Sequence, residues 1–168
     1  NYFTFETSKI SFGRLMGNIY NRRVVNSSNG GAIVRLMTYL NESLSSEEYE
    51  KVDELKEDVI AELNVFYDKG IDIFDKLIYL FSENNDNREI KIKIDKQKMR
   101  SNKAFREVME INSQFKESYG NLVIRINKFL NTVSNYNLED KEGFLFEFSR
   151  YYERLKQYYK KFEFILEG

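Results

Sequence analysis

Apolar residues recur along the chain at alternating steps of three and four, the spacing that gathers side chains on one face of a helix. The longest run is Phe105, Val108, Asn112, Phe115, Tyr119, Leu122, Ile126, Phe129 and Val133. This heptad-like seam predicts one helix over about 102–134, packed at a shallow angle on its neighbours. Asn112 is the polar member of the seam, and it implies either a register-setting contact or hydrogen bonding at a bundle edge. Upstream, Ser45 and Glu48 have capping-box spacing, and the helix they open carries Val52, Val59, Leu63, Phe66, Ile73, Leu77 and Leu80 on one face. The phase continues through Gly70, so 45–82 reads as one helix, straight or bent at that glycine, roughly 57 Å long.

Shorter stripes flank this pair. Ile10, Phe12, Leu15, Met16, Ile19 and Tyr20 predict one helix, and Ile33, Leu36, Met37 and Leu40 another, after a break at Asn29, Gly30 and Gly31. Gly13 and Gly17, four apart, would admit a neighbouring helix closely. A last helix is predicted over about 139–166, starting near Asn137, with Phe148, Tyr151, Leu155, Tyr158, Phe162 and Ile165 as its apolar repeat. Two long helices joined by a polar connection bury their stripes on each other by returning antiparallel. The predicted fold is therefore all-α, an antiparallel bundle of about four to five helices with two long central ones.

Composition agrees. The chain has 168 residues, 42% of them hydrophobic and 32% charged, which suits one domain over 1–168 with one core. The absence of Pro and the presence of only 8 Gly favour long helices. No uncharged apolar stretch approaches the roughly 20 residues of a membrane-spanning helix. The first residue is Asn1 rather than Met, which implies a processed or trimmed N-terminus.

Charge is segregated although the net value is only -1: +4 over residues 1–41, -10 over 42–87, +6 over 88–135 and -1 over 136–168. Antiparallel packing would set the acidic helix beside the basic segment that follows it. The densest basic run is Arg88, Lys91, Lys93, Lys96, Lys98, Arg100, Lys103 and Arg106, interrupted only by Glu89 and Asp95. Within it, Ile90, Lys91, Ile92, Lys93 and Ile94 alternate with period two, as in an extended segment that tucks against the helices or pairs with another chain. The run is one candidate binding face. It suits an acidic protein or a nucleic-acid backbone, but no aromatic residue for stacking falls between Phe81 and Phe105.

The other candidate is the last helix. Phe144, Phe146, Phe148, Tyr151, Tyr152, Tyr158, Tyr159, Phe162 and Phe164 are nine of the chain's 26 aromatic residues, more than one stripe hides. Arg150 and Arg154 interleave with Tyr151 and Tyr158, and Tyr and Arg are the residue types favoured at interface hot spots.

Catalytic chemistry is sparse. Without His or Cys, nucleophilic triads, Cys/His pairs and the His-containing zinc and di-iron motifs are all excluded. Neither a Walker loop nor a Gly-x-Gly-x-x-Gly run occurs. Glu54 and Glu57, followed by Asp72 and Asp75, resemble the acidic pairs with which all-helical nucleotide pyrophosphohydrolases hold magnesium. In that family the pairs sit on facing helices, whereas one continuous helix would separate them here. No enzyme activity and no cofactor or metal are expected.

The Lys-, Asn-, Ile- and Phe-rich, Cys-free make-up, with long helices joined by polar turns such as Asn84, Asn85, Asp86 and Asn87, resembles the helical surface lipoproteins of Lyme and relapsing-fever spirochaetes. That resemblance implies a non-catalytic extracellular module, lipid-anchored at the cell surface, that binds host proteins such as complement components. The competing expectation is a cytoplasmic phage- or defence-related protein that binds nucleic acid or a nucleoprotein through the basic segment.

Overall fold

A computed structural model describes residues 4–24, 28–82, 102–139 and 141–167. Of these, 89% lie in helices, and no strand occurs among them. The helices are α1 (Phe5–Ile19), α2 (Ala32–Ser43), α3 (Ser46–Ser82), α4 (Lys103–Ser134) and α5 (Lys141–Glu167), with a 3-10 turn at Ser28–Gly30 before α2.

Local chemistry sets the boundaries. The Thr4 hydroxyl caps α1 by accepting from Thr7 N at 3.2 Å. At the start of α3 the capping box closes both ways: Glu48 N donates to Ser45 Oγ at 3.2 Å, and Ser45 N donates to Glu48 Oε1 at 3.1 Å. Asn102 caps α4, its side-chain oxygen accepting from the Ala104 and Phe105 amides. The last helix begins at Lys141 rather than near Asn137. Residues 136–138 are used in crossing from α4, with Tyr136 N bonded back to Val133 O and Leu138 packed against the core.

The spine is the antiparallel pair α3 and α4. Phe66 stacks on Phe115 with ring centroids 4.3 Å apart, and one turn away Ser118 donates to Glu62 at 2.8 Å. Every residue of the sequence-derived α3 stripe is buried. In α4 one position differs: Ser118 takes the buried place, while Tyr119 lies half-buried beside it, stacked on Tyr159 at 3.8 Å. Ser118 satisfies the buried Glu62 carboxylate, which an aromatic ring there would leave without that bond. Asn112 is buried and donates to Glu167 at 3.2 Å, tying α4 to the end of α5.

The bundle closes with α5 antiparallel to α4, through Phe129 on Phe148 and Phe115 on Phe162. The seam of α5 is Phe148, Tyr152, Leu155, Tyr159, Phe162 and Leu166. It lies one residue away from the sequence-derived repeat at three positions, so Tyr151, Tyr158 and Ile165 sit on its flank.

Between α3 and α5, α1 and α2 follow each other end to end as one interrupted helix. Phe5 meets Phe81 and Ser8 meets Tyr158 at one end. At the other, Arg35 pairs with Glu147 and Tyr39 stacks on Phe144 at 4.8 Å. The α1–α2 unit thus runs antiparallel to both neighbours, and the fold is an up-down-up-down bundle whose first helix is broken. In α1 the buried face is Phe5, Ser8, Phe12, Met16 and Ile19. Ile10, assigned to the stripe from sequence, is 61% exposed, because two residues past Ser8 is about 200° around the helix.

Three glycines are required by geometry, the first being Gly30, where a Cβ would run into the Val24 carbonyl oxygen. Gly31 joins the broken halves with φ +103, and a Cβ there would lie 2.6 Å from the Ile19 carbonyl oxygen. A Cβ on Gly70 would lie 2.6 Å from two atoms of the Phe12 ring. Gly70 therefore leaves α3 continuous and gives Phe12 its socket. Phe12, fully buried, touches Phe66, Tyr67, Phe74, Phe115 and Tyr158, rings from three other helices.

Most of the basic run expected to lie beside the acidic helix falls outside the described residues. Among the described residues, the acids of α3 meet cross-helix cations mainly in the N-terminal segment: Lys9 with Asp75 at 2.6 Å and Arg22 with Asp68 at 3.3 Å. The α4 contribution is Arg125, 3.9 Å from Glu62. No helix among the described residues is long and apolar enough to cross a membrane.

Candidate functional site

The sequence-derived site residues separate into three groups. Arg88, Lys91, Lys93, Lys96, Lys98 and Arg100, with the alternating Ile90–Ile94 segment, lie outside the described residues. Lys103 and Arg106 are exposed in the first turns of α4, and neither forms an ion pair among the described residues. That helix opens without an acidic residue in its first turn, so the partial positive charge of its N-terminus adds to theirs.

The third group is on α5. Arg150 and Arg154, one turn apart, place their guanidinium carbons 5.3 and 5.5 Å from the centroid of the same ring, Tyr151. Both arginines are exposed and Tyr151 is half-buried. The intervening Glu153 is engaged by Lys156 at 2.6 Å, so neither arginine is neutralised by an ion pair among the described residues. Phe146 and Phe164, each 67% exposed, stand 18 positions apart. That is five helical turns, roughly 27 Å, which puts both on one line along α5 with Arg150 and Lys161 between them.

Tyr158 is used differently. Its hydroxyl donates to the Ser8 carbonyl at 2.8 Å and lies 2.6 Å from the Ser8 hydroxyl, while its ring stacks on Phe12. Burial pushes its ionisation up to about 12, with the Ser8 contact pulling the other way. Tyr158 is a strut between α5 and α1, and the outward face consists of Arg150, Arg154 and the two phenylalanines, with half-buried Tyr151 at its edge.

A site that the sequence reading missed lies where α1 gives way to α2. A cleft of about 610 Å³ is bounded by α1, the turn after it, the start of α2 and the middle of α3. Arg14, Arg22, Arg23 and Arg35 line it, and no Asp or Glu among the described residues does. Gly13 and Gly17 form part of its wall instead of a close helix contact: a Cβ on Gly17 would meet nothing within 4 Å, and one on Gly13 would meet only the Tyr67 hydroxyl at 3.9 Å. Four of the five basic residues of segment 1–41 are gathered here. The +4 charge of that segment was the signal that pointed to it.

The acidic pairs stay apart. Glu54, Glu57, Asp72 and Asp75 all belong to α3, the two pairs 18 positions and about 27 Å from each other. Among the described residues, no group of three or more acidic side chains is placed to hold a metal ion. In comparisons with known proteins, no family model, curated protein or solved structure matches the chain.

Proposed function

We propose that the protein is a non-catalytic binding module that docks an acidic protein partner on the outward face of α5. The observation that carries this reading is the Arg150–Tyr151–Arg154 cluster, in which one ring holds two guanidiniums that have no carboxylate partner among the described residues. Stacking on Tyr151 restricts both arginines before any partner arrives, which lowers the entropic cost of using them in an interface. Tyr and Arg at the centre with apolar anchors at Phe146 and Phe164 is a composition suited to an interface hot spot. The resemblance to spirochaete surface lipoproteins supplies the partner class: host extracellular proteins, complement components among them, met at the cell surface.

The second reading is nucleic-acid binding from a cytoplasmic location through the basic segment. Lys103 and Arg106 at the N-terminus of α4 favour it, because cations there oppose the helix dipole and bring no evident gain to the fold.

One experiment separates the two. Wild type, Arg150→Glu/Arg154→Glu and Lys103→Glu/Arg106→Glu are compared for binding to purified serum proteins and to duplex DNA and RNA across a salt series. All three should melt within a few degrees of one another, since exposed charges contribute little to stability. The α5 variant should lose protein binding by tenfold or more while the α4 variant keeps it, and wild-type affinity should fall as salt rises. Protein binding unaffected by the α5 substitutions removes that face as the site. Nucleic-acid binding that only the α4 substitutions abolish establishes the second reading instead.

A further inference from the structure

We propose that the cleft at the α1–α2 break binds a small phosphorylated molecule. Its volume of about 610 Å³ is in the range of pockets that enclose a ligand the size of a nucleotide or sugar phosphate. Its lining holds four arginines and, among the described residues, no carboxylate, and two of the arginines are paired with carboxylates from outside it. Asp68 holds Arg22 at 3.3 Å, and Glu147 accepts from both Nε and a terminal nitrogen of Arg35. Arg14 and Arg23 form no ion pair among the described residues, so two of the four charges remain uncompensated. A phosphate dianion matches that balance.

The geometry also favours phosphate over a lone carboxylate. Each guanidinium is a planar fork with five donors, and the contact with Asp68 engages one nitrogen of Arg22. Four such forks around one cleft offer more donors than the two oxygens of a carboxylate accept, whereas a phosphate with three terminal oxygens takes several forks at once. Arg22 is further fixed by stacking on Tyr67, its guanidinium carbon 4.6 Å from the ring centroid. Two of the four forks are therefore oriented before ligand enters. The side-chain amides of Asn18 and Asn64 in the lining supply donors and acceptors for the uncharged part of the ligand.

Gly13 and Gly17 add a separate indication. A glycine inside a helix weakens it relative to alanine, and neither of these two is required by packing, because a side chain on Gly17 would enter empty space. That space is the cleft. Without side chains there, the wall of α1 stays low and a ligand can approach the backbone.

Isothermal titration at low ionic strength with inorganic pyrophosphate, adenosine monophosphate and citrate tests the proposal on the full chain. Pyrophosphate should bind saturably with one site per chain, and Arg14→Ala and Arg23→Ala should each weaken it about tenfold or more. Gly17→Leu should weaken it as well while leaving the melting temperature unchanged or higher, a combination that a fold defect would not give. Adenosine monophosphate binding with the same sensitivity assigns the site to phosphate esters; pyrophosphate binding alone assigns it to free polyphosphates. Absence of saturable binding, citrate binding as tightly as pyrophosphate, or indifference to Arg14→Ala and Arg23→Ala overturns it, and so does binding seen only with an oligonucleotide. The outcome is independent of the α5 face, since none of these substitutions touches Arg150, Tyr151 or Arg154.

Discussion

Replacing Phe12 with alanine is expected to lower the free energy of unfolding by about 3–5 kcal/mol, the range for deleting a fully buried phenyl ring. The upper half of that range applies for a structural reason. Phe12 is fully buried and its ring meets five others at centroid distances of 5.6 to 6.2 Å, with α3, α4 and α5 all contributing. Collapse into the void would require moving Phe66, Phe74 and Phe115, each of which is itself packed on a ring of another helix. The backbone of α3 is already as near as Gly70 allows. Domains of this size are stable by about 5–15 kcal/mol in all, so the variant should be close to the threshold of unfolding at room temperature. Urea denaturation followed by circular dichroism reads the loss. A change below about 1 kcal/mol would mean that Phe12 does not sit at the junction of the four helical positions.

Alkaline pH is expected to unfold the protein between about pH 10 and 12. Burial pushes the Tyr152 hydroxyl up to about 12, with Tyr119 and Glu153 adding to the effect, and burial pushes Tyr158 up to about 12 against the pull of Ser8. Burial also raises Tyr119 and Tyr159, followed in both by the charge of Glu163. An unfolded tyrosine ionises near pH 10. Between that pH and the folded values the unfolded chain gives up protons that the bundle retains, so stability falls as pH rises. The contribution of Tyr152 and Tyr158 is complete below about pH 10 and is lost as pH rises through about 12, and Tyr119 and Tyr159 act in the same direction. Tyrosinate absorbance should therefore rise in two steps. The first comes from the exposed part of the chain's 12 tyrosines, and the second should coincide with loss of the helical dichroism signal. A single step near pH 10 with helicity intact would contradict the burial assigned to the α5 seam.

Helix existence was legible where one apolar face has one reading. The stripes of α3 and α4 are bounded by charged positions, and the Ser45–Glu48 pair announces its own hydrogen bonds. On α5 the phase is ambiguous because the helix is aromatic nearly all round. Phe148, Leu155 and Phe162 belong equally to a seam with Tyr151 and Tyr158 and to one with Tyr152 and Tyr159. What decides is the opposite helix, where Tyr119 and Asn127 receive Tyr159 and Tyr152. Ile10 was misplaced for a related reason: in a short helix an isoleucine outweighs a serine in any apolar count, although Ser8 has the better angle. The arginine cleft had no signature beyond the +4 charge of residues 1–41. Its four guanidiniums come from α1, a turn and α2, with no regular spacing, and only folding brings them together. The Arg150–Tyr151–Arg154 face, by contrast, was readable because its members are neighbours on one helix.

Both the cleft and the orientation of α5 depend on α1 and α2 lying end to end between α3 and α5. Because the chain has no native cysteine, paired substitutions report on that arrangement directly: Lys9→Cys with Asp75→Cys for α1 on α3, and Arg35→Cys with Glu147→Cys for α2 on α5. Each pair replaces an ion pair on a partly exposed surface, so a short thiol-to-thiol cross-linker can reach both partners without opening the core. Rapid intramolecular cross-linking of both pairs in the folded protein, abolished in denaturant, is the predicted result. If the first pair links and the second does not, or neither does, the N-terminal helices do not close the bundle and the cleft between them does not exist as described.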